Sequence, residues 1–182
     1  MVSAPPRYRP LRRVEYDQLI ALGAFQNEKI ELLEGFLVPM SPIGPPHSST
    51  VQKLTERLLL ALLGRATVRA QNPFSALEFS EPEPDIAVVP SGEYDTAHPD
   101  QAYLIIEVAE SSLSVDRGVK LRLYAACRVA EYWIVNLVEG HIEVYREPFG
   151  DTYTKVERYP RGTSVGFLQF PDVVVEVSSL IK

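Results

Sequence analysis

The sequence is short of cysteine, histidine and positive charge, and it has no long hydrophobic run. A single cysteine, Cys127, stands among 182 residues. One cysteine excludes an internal disulfide and a cysteine metal cluster. Flanked by Ala125 and Ala126 in a helical pattern, it reads as small core filler. No apolar run approaches the ~20 residues that span a bilayer, so no membrane association is expected. The N-terminal stretch MVSAPPRYRPLRR lacks the apolar h-region of a signal peptide, and a cytoplasmic location is expected. Lys and Arg number 18 against 24 Asp and Glu, a net charge of −6. That balance counts against a sequence-independent DNA coat, which needs a basic surface. It leaves room for a nuclease, because a carboxylate site loaded with divalent cations is locally much less negative. Neither GxGxxG, P-loop nor GxSxG occurs, so a nucleotide cradle or hydrolytic triad has no local support.

What is present is ordinary globular composition, 46% hydrophobic and 23% charged, at a length that suits one domain over residues 1–182. Residues 1–12, rich in Pro and Arg, predict an extended arm. A short amphipathic helix is expected from about Val14 to Ala24. A hairpin then turns at Glu34-Gly35 within Lys29–Met40 and carries Glu31 on its first strand. After a Pro/Gly loop, a helix is expected over Ser49–Leu63, with Ser49 and Gln52 as a capping box and Gly64 beyond its end. His47 would precede it. Thr67–Ala70 and Ser75–Phe79 are short strand candidates, and Ile86–Val89 is a third. Pro90–Gln101 reads as a polar loop that could lie over a site.

The stretch LIIEVAESSLSVDRGVKLRLYAACRVAEYWIVN organises the rest. Strand Tyr103–Ala109, helix Val115–Cys127 and strand Tyr132–Val138 form a βαβ crossover, expected to be right-handed. Antiparallel strands at His141–Arg146 and Thr152–Arg158 follow, with one or two more between Phe167 and Val177. The fold class is α/β with a mixed central sheet, an N-terminal helix and hairpin, and C-terminal antiparallel strands.

Within this frame, Glu107 is an acid in the middle of an apolar strand, where burial is costly unless a charge meets it. The alternative is a structural pair with an arginine near the strand end. Asp85 precedes the strand Ile86–Val89, where a plain turn acid would also fit. If the two strands are neighbours, the two carboxylates would repel unless a cation bridges them, and Mg²⁺ suits such an oxygen-rich site. The Val108 carbonyl could supply another ligand. Lys120 has Asp116 at i−4, an ordinary surface pair. It also borders the apolar face, from which its ammonium could reach the sheet edge and act on a phosphate. His98 and His141 offer no ligand spacing. Arg117, Arg122 and Lys53 are candidates for phosphate contact.

The combination IELLEGFLVPMSP, His47, PEPDIAVV and the stretch from Leu104 to Asn136 resembles the Uma-type family of restriction endonucleases, of the PD-(D/E)xK nuclease superfamily. The resemblance covers about residues 14–147. It implies a restriction-endonuclease-like core of helix, three strands, helix and strand, and metal-dependent cleavage of DNA. By position, Asp85 is the aspartate of the PD motif and Glu107 the acid of the third core strand. Ala109 stands where the motif has lysine, and Lys120 on the next helix takes that part. Glu31 matches the hairpin acid, an accessory ligand, and His47 the histidine before the first core helix. Asn136 departs from the aspartate usual at its position. The implied cofactor is Mg²⁺ or Mn²⁺, the partner DNA, and a homodimer would serve double-strand cutting. The rival reading is a non-catalytic nucleic-acid- or protein-binding module that retains the fold.

Overall fold

The computed structural model describes residues 8–181, so most of the predicted arm lies outside the described residues. Tyr8–Arg12 is irregular, and the Leu11 N–H donates to Gly35 O at 3.0 Å. Helix α1 (Arg13–Ala21) leads to the predicted hairpin of β1 (Ile30–Leu33) and β2 (Phe36–Pro39). Its two-residue turn holds Glu34 at φ 49° and Gly35 at φ 84°, the left-handed pair that matches the twist of two joined strands. A Cβ on Gly35 would sit 2.3 Å from Pro10 Cβ, so glycine is required twice over.

Helix α2 (Pro45–Leu62) starts earlier than the capping-box pattern suggests. Gly44 is the N-cap and prolines fill the first two positions, where a missing N–H costs nothing and φ is already helical. His47 therefore belongs to the first turn of α2 rather than preceding it. Val51, Leu54, Leu58 and Leu62 repeat at helical spacing and are buried. Each fully buried leucine of that stripe contributes about 2 kcal/mol.

Six strands form the central sheet in the order β3 (Thr67–Ala70), β4 (Ile86–Val89), β5 (Leu104–Ala109), β6 (Glu131–Asn136), β7 (His141–Phe149) and β8 (Thr152–Pro160). Only β5 and β6 run parallel, joined by the expected crossover. Its helix, α3 (residues 113–126), is not uniform. An α-turn at Leu113–Val115 opens into a π-helical turn, Asp116–Lys120, before α-geometry resumes at Leu121–Ala126. Strands β9 (Ser164–Gly166) and β10 (Val174–Glu176) pair in a small separate sheet. The core order α2, β3, β4, β5, α3, β6 is the restriction-endonuclease-like order the resemblance implies. Among the described residues, no helix is long and apolar enough to cross a membrane.

Two expectations fail. Ser75–Phe79 is no strand: a tight turn closes with one bridge between Ala76 and Ser80. Leu77 there has φ 54°, which breaks any extended run. The loop 90–101 does not lie over the site. Its residues 94–98 line a different cavity, against Arg13 and Tyr16 of α1.

The strands alternate between two cores. Ile86, Val88, Leu104, Ile106 and Val108 face α2 and the C-terminal segment, whereas Ala87, Val89, Ile105 and Ala109 face α3. Period two then places Glu107 with Ile105 on the α3 side.

Candidate active site

Strands β4 and β5 pair antiparallel with Ile86 opposite Ile106 and Ala87 opposite Ile105. Extended by one residue, this register sets Asp85 opposite Glu107. Directly opposed residues share a face, with Cβ atoms ~5 Å apart. The backbone bears this out: Glu107 Oε2 lies 3.4 Å from the Asp85 N–H, and Asp85 Oδ2 accepts from the Val108 N–H at 2.8 Å. The last contact brings the Val108 backbone to the carboxylates.

The hairpin adds a third acid. A bridge between Leu32 and Glu81 fastens β1 to the segment leading into Asp85, and Glu31 Oε2 accepts from the Glu83 N–H at 3.1 Å. From α3, Lys120 Nζ reaches Glu107 Oε1 at 3.1 Å and Glu31 Oε2 at 3.2 Å. From α2, His47 Nε2 lies 3.0 Å from Asp85 Oδ2. Five elements, β1, α2, the entry to β4, β5 and α3, thus deliver Glu31, His47, Asp85, Glu107 and Lys120 to one cavity of about 500 Å³.

Three further acids line that cavity, Glu83, Glu110 and Asp116. The surface-pair reading of Asp116 is wrong: it is 1% exposed, with its carboxylate bonded to Ser112 Oγ at 2.6 Å. Asp116, Lys120 and Tyr124 stand four residues apart, and the π-turn between the first two widens the helix where it meets the sheet. π-turns concentrate at functional sites. The spacing was available in the sequence, but the π-turn was not.

The cavity is short of positive charge. Burial, then Asp116, Asp85 and Glu31, push the Glu107 carboxyl above its usual range, against the opposing pull of Lys120. Burial and the neighbouring acids likewise raise Asp116 to about 6. Burial would lower the Lys120 ammonium, but Glu107, Glu31 and Asp116 outweigh it and hold its pKa above the usual range. Burial works against protonation of His47 too, and the hydrogen bond to Asp85 overrides it. The raised carboxylates reflect burial first and the crowding of acids second, and the raised Lys120 and His47 reflect the acids they pair with.

Several sequence candidates lie elsewhere. Arg117 is taken up by Glu143, its Nε 3.1 Å from Oε2, and Arg122 pairs with Glu34 at 3.5 Å. Lys53 lies on α2 beside Arg57 and Leu60 at a separate depression. None of the three lines the cavity. Its second cation is Lys29, exposed at the start of the hairpin. Asn136 is buried and stays apart, its Oδ1 accepting from the Glu139 N–H at 2.9 Å. His141, in contrast to its sequence reading, gathers with Glu139 and Glu143, their ligand atoms within 4.8 Å.

That second group is already neutralised. Glu143 is 1% exposed and accepts from Arg117, Tyr145 and His141. Burial would raise its pKa, but those three partners hold it down at about 2, from 4.5. A depressed carboxylate contributes stability above its unfolded pKa and loses it as pH falls through the folded one. Glu143→Gln should therefore cost about 3 kcal/mol at neutral pH. In urea melts, the gap from wild type should close as pH falls from about 4.5 toward 2. A gap that stays constant over that range would contradict the assignment.

No curated protein matches the chain. A solved structure described as a "putative nuclease belonging to DUF820", from Anabaena variabilis ATCC 29413, superposes with a TM-score of 0.72. It covers 94% of this chain and 97% of that one at 16% identity, a likeness of fold. The family model "Uma2: Putative restriction endonuclease" matches residues 13–178. That match spans nearly the whole chain, and the protein belongs to the Uma2 family.

Proposed function

We propose that the protein is a Mg²⁺-dependent endonuclease that hydrolyses DNA phosphodiester bonds. The observation that carries this reading is the opposed pair Asp85 and Glu107, with Lys120 reaching Glu107 across a cavity that has too little positive charge. The donor set fits a hard divalent cation: carboxylate oxygens at a strand edge, with no cysteine and one histidine. Asp85 and Glu107 would hold the ion, with the Val108 carbonyl and Glu31 as further oxygen donors. Such an ion supplies Lewis-acid polarisation of the phosphate and lowers the pKa of water.

The protein's own groups do the rest. Lys120 keeps its proton against burial, so it offers a fixed ammonium beside the carboxylates, where charge develops on phosphorus. Preorganised charge of this kind acts strongly in a site closed to bulk water. Glu31 fixes the other side of that ammonium. Lys29, at the rim, meets the phosphodiester backbone outside the cleavage point. Lys29→Ala should raise KM for DNA about fivefold, the worth of ~1 kcal/mol, with kcat near the wild-type value. An unchanged KM at low salt would remove Lys29 from the substrate path.

The direct test is supercoiled plasmid incubated with the purified protein. Nicking should require Mg²⁺ or Mn²⁺ and stop on chelation with EDTA. Cleavage that persists in EDTA would contradict the metal-dependent reading, and DNA binding without cleavage would favour a non-catalytic module.

A further inference from the structure

Each of the two central carboxylates has one oxygen tied and one left over. At Asp85, Oδ2 takes both the Val108 N–H at 2.8 Å and His47 Nε2 at 3.0 Å. Among the described residues, no donor reaches Oδ1. At Glu107, Oε1 accepts from the Tyr124 hydroxyl at 2.8 Å and from Lys120 Nζ at 3.1 Å. Its Oε2 has only the long 3.4 Å contact from the Asp85 N–H. We infer that Tyr124 and His47 are positioning residues of the metal site: each ties one carboxylate oxygen and leaves the other to a divalent cation.

A buried tyrosine needs an acceptor somewhere, so the choice of acceptor is the informative part. Tyr16, Tyr132 and Tyr153 donate to backbone carbonyls, of Ile30, Asp116 and Val129, and Tyr145 to a carboxylate off the cavity, Glu143. Tyr124 is fully buried and donates instead to the acid that lines the cavity. It stands one helical turn after Lys120, so the two donors arrive at the same oxygen from one helix face. His47 is equally committed. Its Nδ1 is buried without a partner among the described residues, which leaves Asp85 as the ring's hydrogen-bond partner. Groups that orient a metal ligand are typically worth 10–100-fold in metal affinity.

The inference rests on the metal reading above, and calorimetric titration with Mn²⁺ at fixed pH separates the two. Wild type should bind Mn²⁺, and Tyr124→Phe should bind about tenfold more weakly while its far-UV circular dichroism stays native. His47→Ala should weaken binding to a similar degree by acting on the other carboxylate. Tyr145→Phe is the matched control: it deletes a buried hydroxyl bonded to Glu143 at 2.5 Å, off the cavity. It should lose stability and keep wild-type affinity. Tyr124→Phe binding as tightly as wild type would overturn the inference and leave the metal reading intact. Equal weakening by Tyr124→Phe and Tyr145→Phe would reduce the effect to general loosening and overturn it as well. No Mn²⁺ binding by folded wild type would overturn the metal reading, and this inference with it.

Discussion

Lys120→Met is expected to destabilise the metal-free protein by about 3–5 kcal/mol, the cost of removing one member of a buried ion pair. The side chain is almost wholly buried, and its ammonium stands between Glu107 and Glu31. Methionine fills the same volume, so the loss is one of charge rather than packing. Three buried acids, Glu31, Glu107 and Asp116, would then face one another without the ammonium. Saturating Mg²⁺ should restore more stability to the variant than to wild type, because an ion bound only by the folded state stabilises it by mass action. Urea melts with EDTA and with Mg²⁺ measure both terms. Cleavage should fall about 100-fold or more even with Mg²⁺, the usual scale for losing one preorganised electrostatic group. A variant as stable as wild type in EDTA would contradict the compensating role of Lys120. A variant that cleaves normally would remove Lys120 from the chemistry.

Asp85→Asn carries the second large effect, and its two readouts should move in opposite directions. The amide oxygen can still accept from the Val108 N–H, so the turn into β4 keeps its bond. What goes is one charge from a crowded cavity in which Asp85 helps to raise both Glu107 and Asp116. Stability in EDTA should therefore be unchanged or slightly higher, as when a strained site is relaxed at the expense of activity. Cleavage should drop by about 1,000-fold, equivalent to ~4 kcal/mol of transition-state stabilisation. Parallel melts and nicking rates at equal protein concentration decide it. A variant that is less stable by 2 kcal/mol or more and still active would show that Asp85 is a structural turn acid.

Much of this arrangement was legible in the sequence, for identifiable reasons. The βαβ stretch carries its own change of pattern, from the continuous apolar run Leu104–Ala109 to the helical spacing of residues 113–126, and the apolar run of β6 follows. The hairpin was marked by Glu34-Gly35, whose backbone few other pairs could adopt. Asp85, Glu107 and Lys120 could be nominated because acids at apolar strands need a reason. Their convergence depended on the β4–β5 register, which pairs positions 22 residues apart and leaves no local trace.

The failures are as physical. Asp116 looked like half of a surface pair because i, i+4 spacing says nothing about which side of a helix is wet. The π-turn that places it has no composition signal. Helix α2 began four residues early because Pro45-Pro46 reads as a loop until it is recognised as a first helical turn. Ser75–Phe79 had strand composition and lost to a left-handed residue at Leu77. Arg117 was a reasonable phosphate ligand until the fold brought Glu143 to it.

The central claim is that the cavity where Asp85 and Glu107 meet at β4 and β5 cleaves phosphodiester bonds with a divalent cation. Conversion of supercoiled plasmid to the nicked form, by wild type and Asp85→Asn purified side by side in Mg²⁺, tests it most directly. The account predicts nicking by wild type alone. Equal nicking by both proteins would place the activity outside this cavity, and no nicking by either with Mg²⁺ or Mn²⁺ would contradict the account itself.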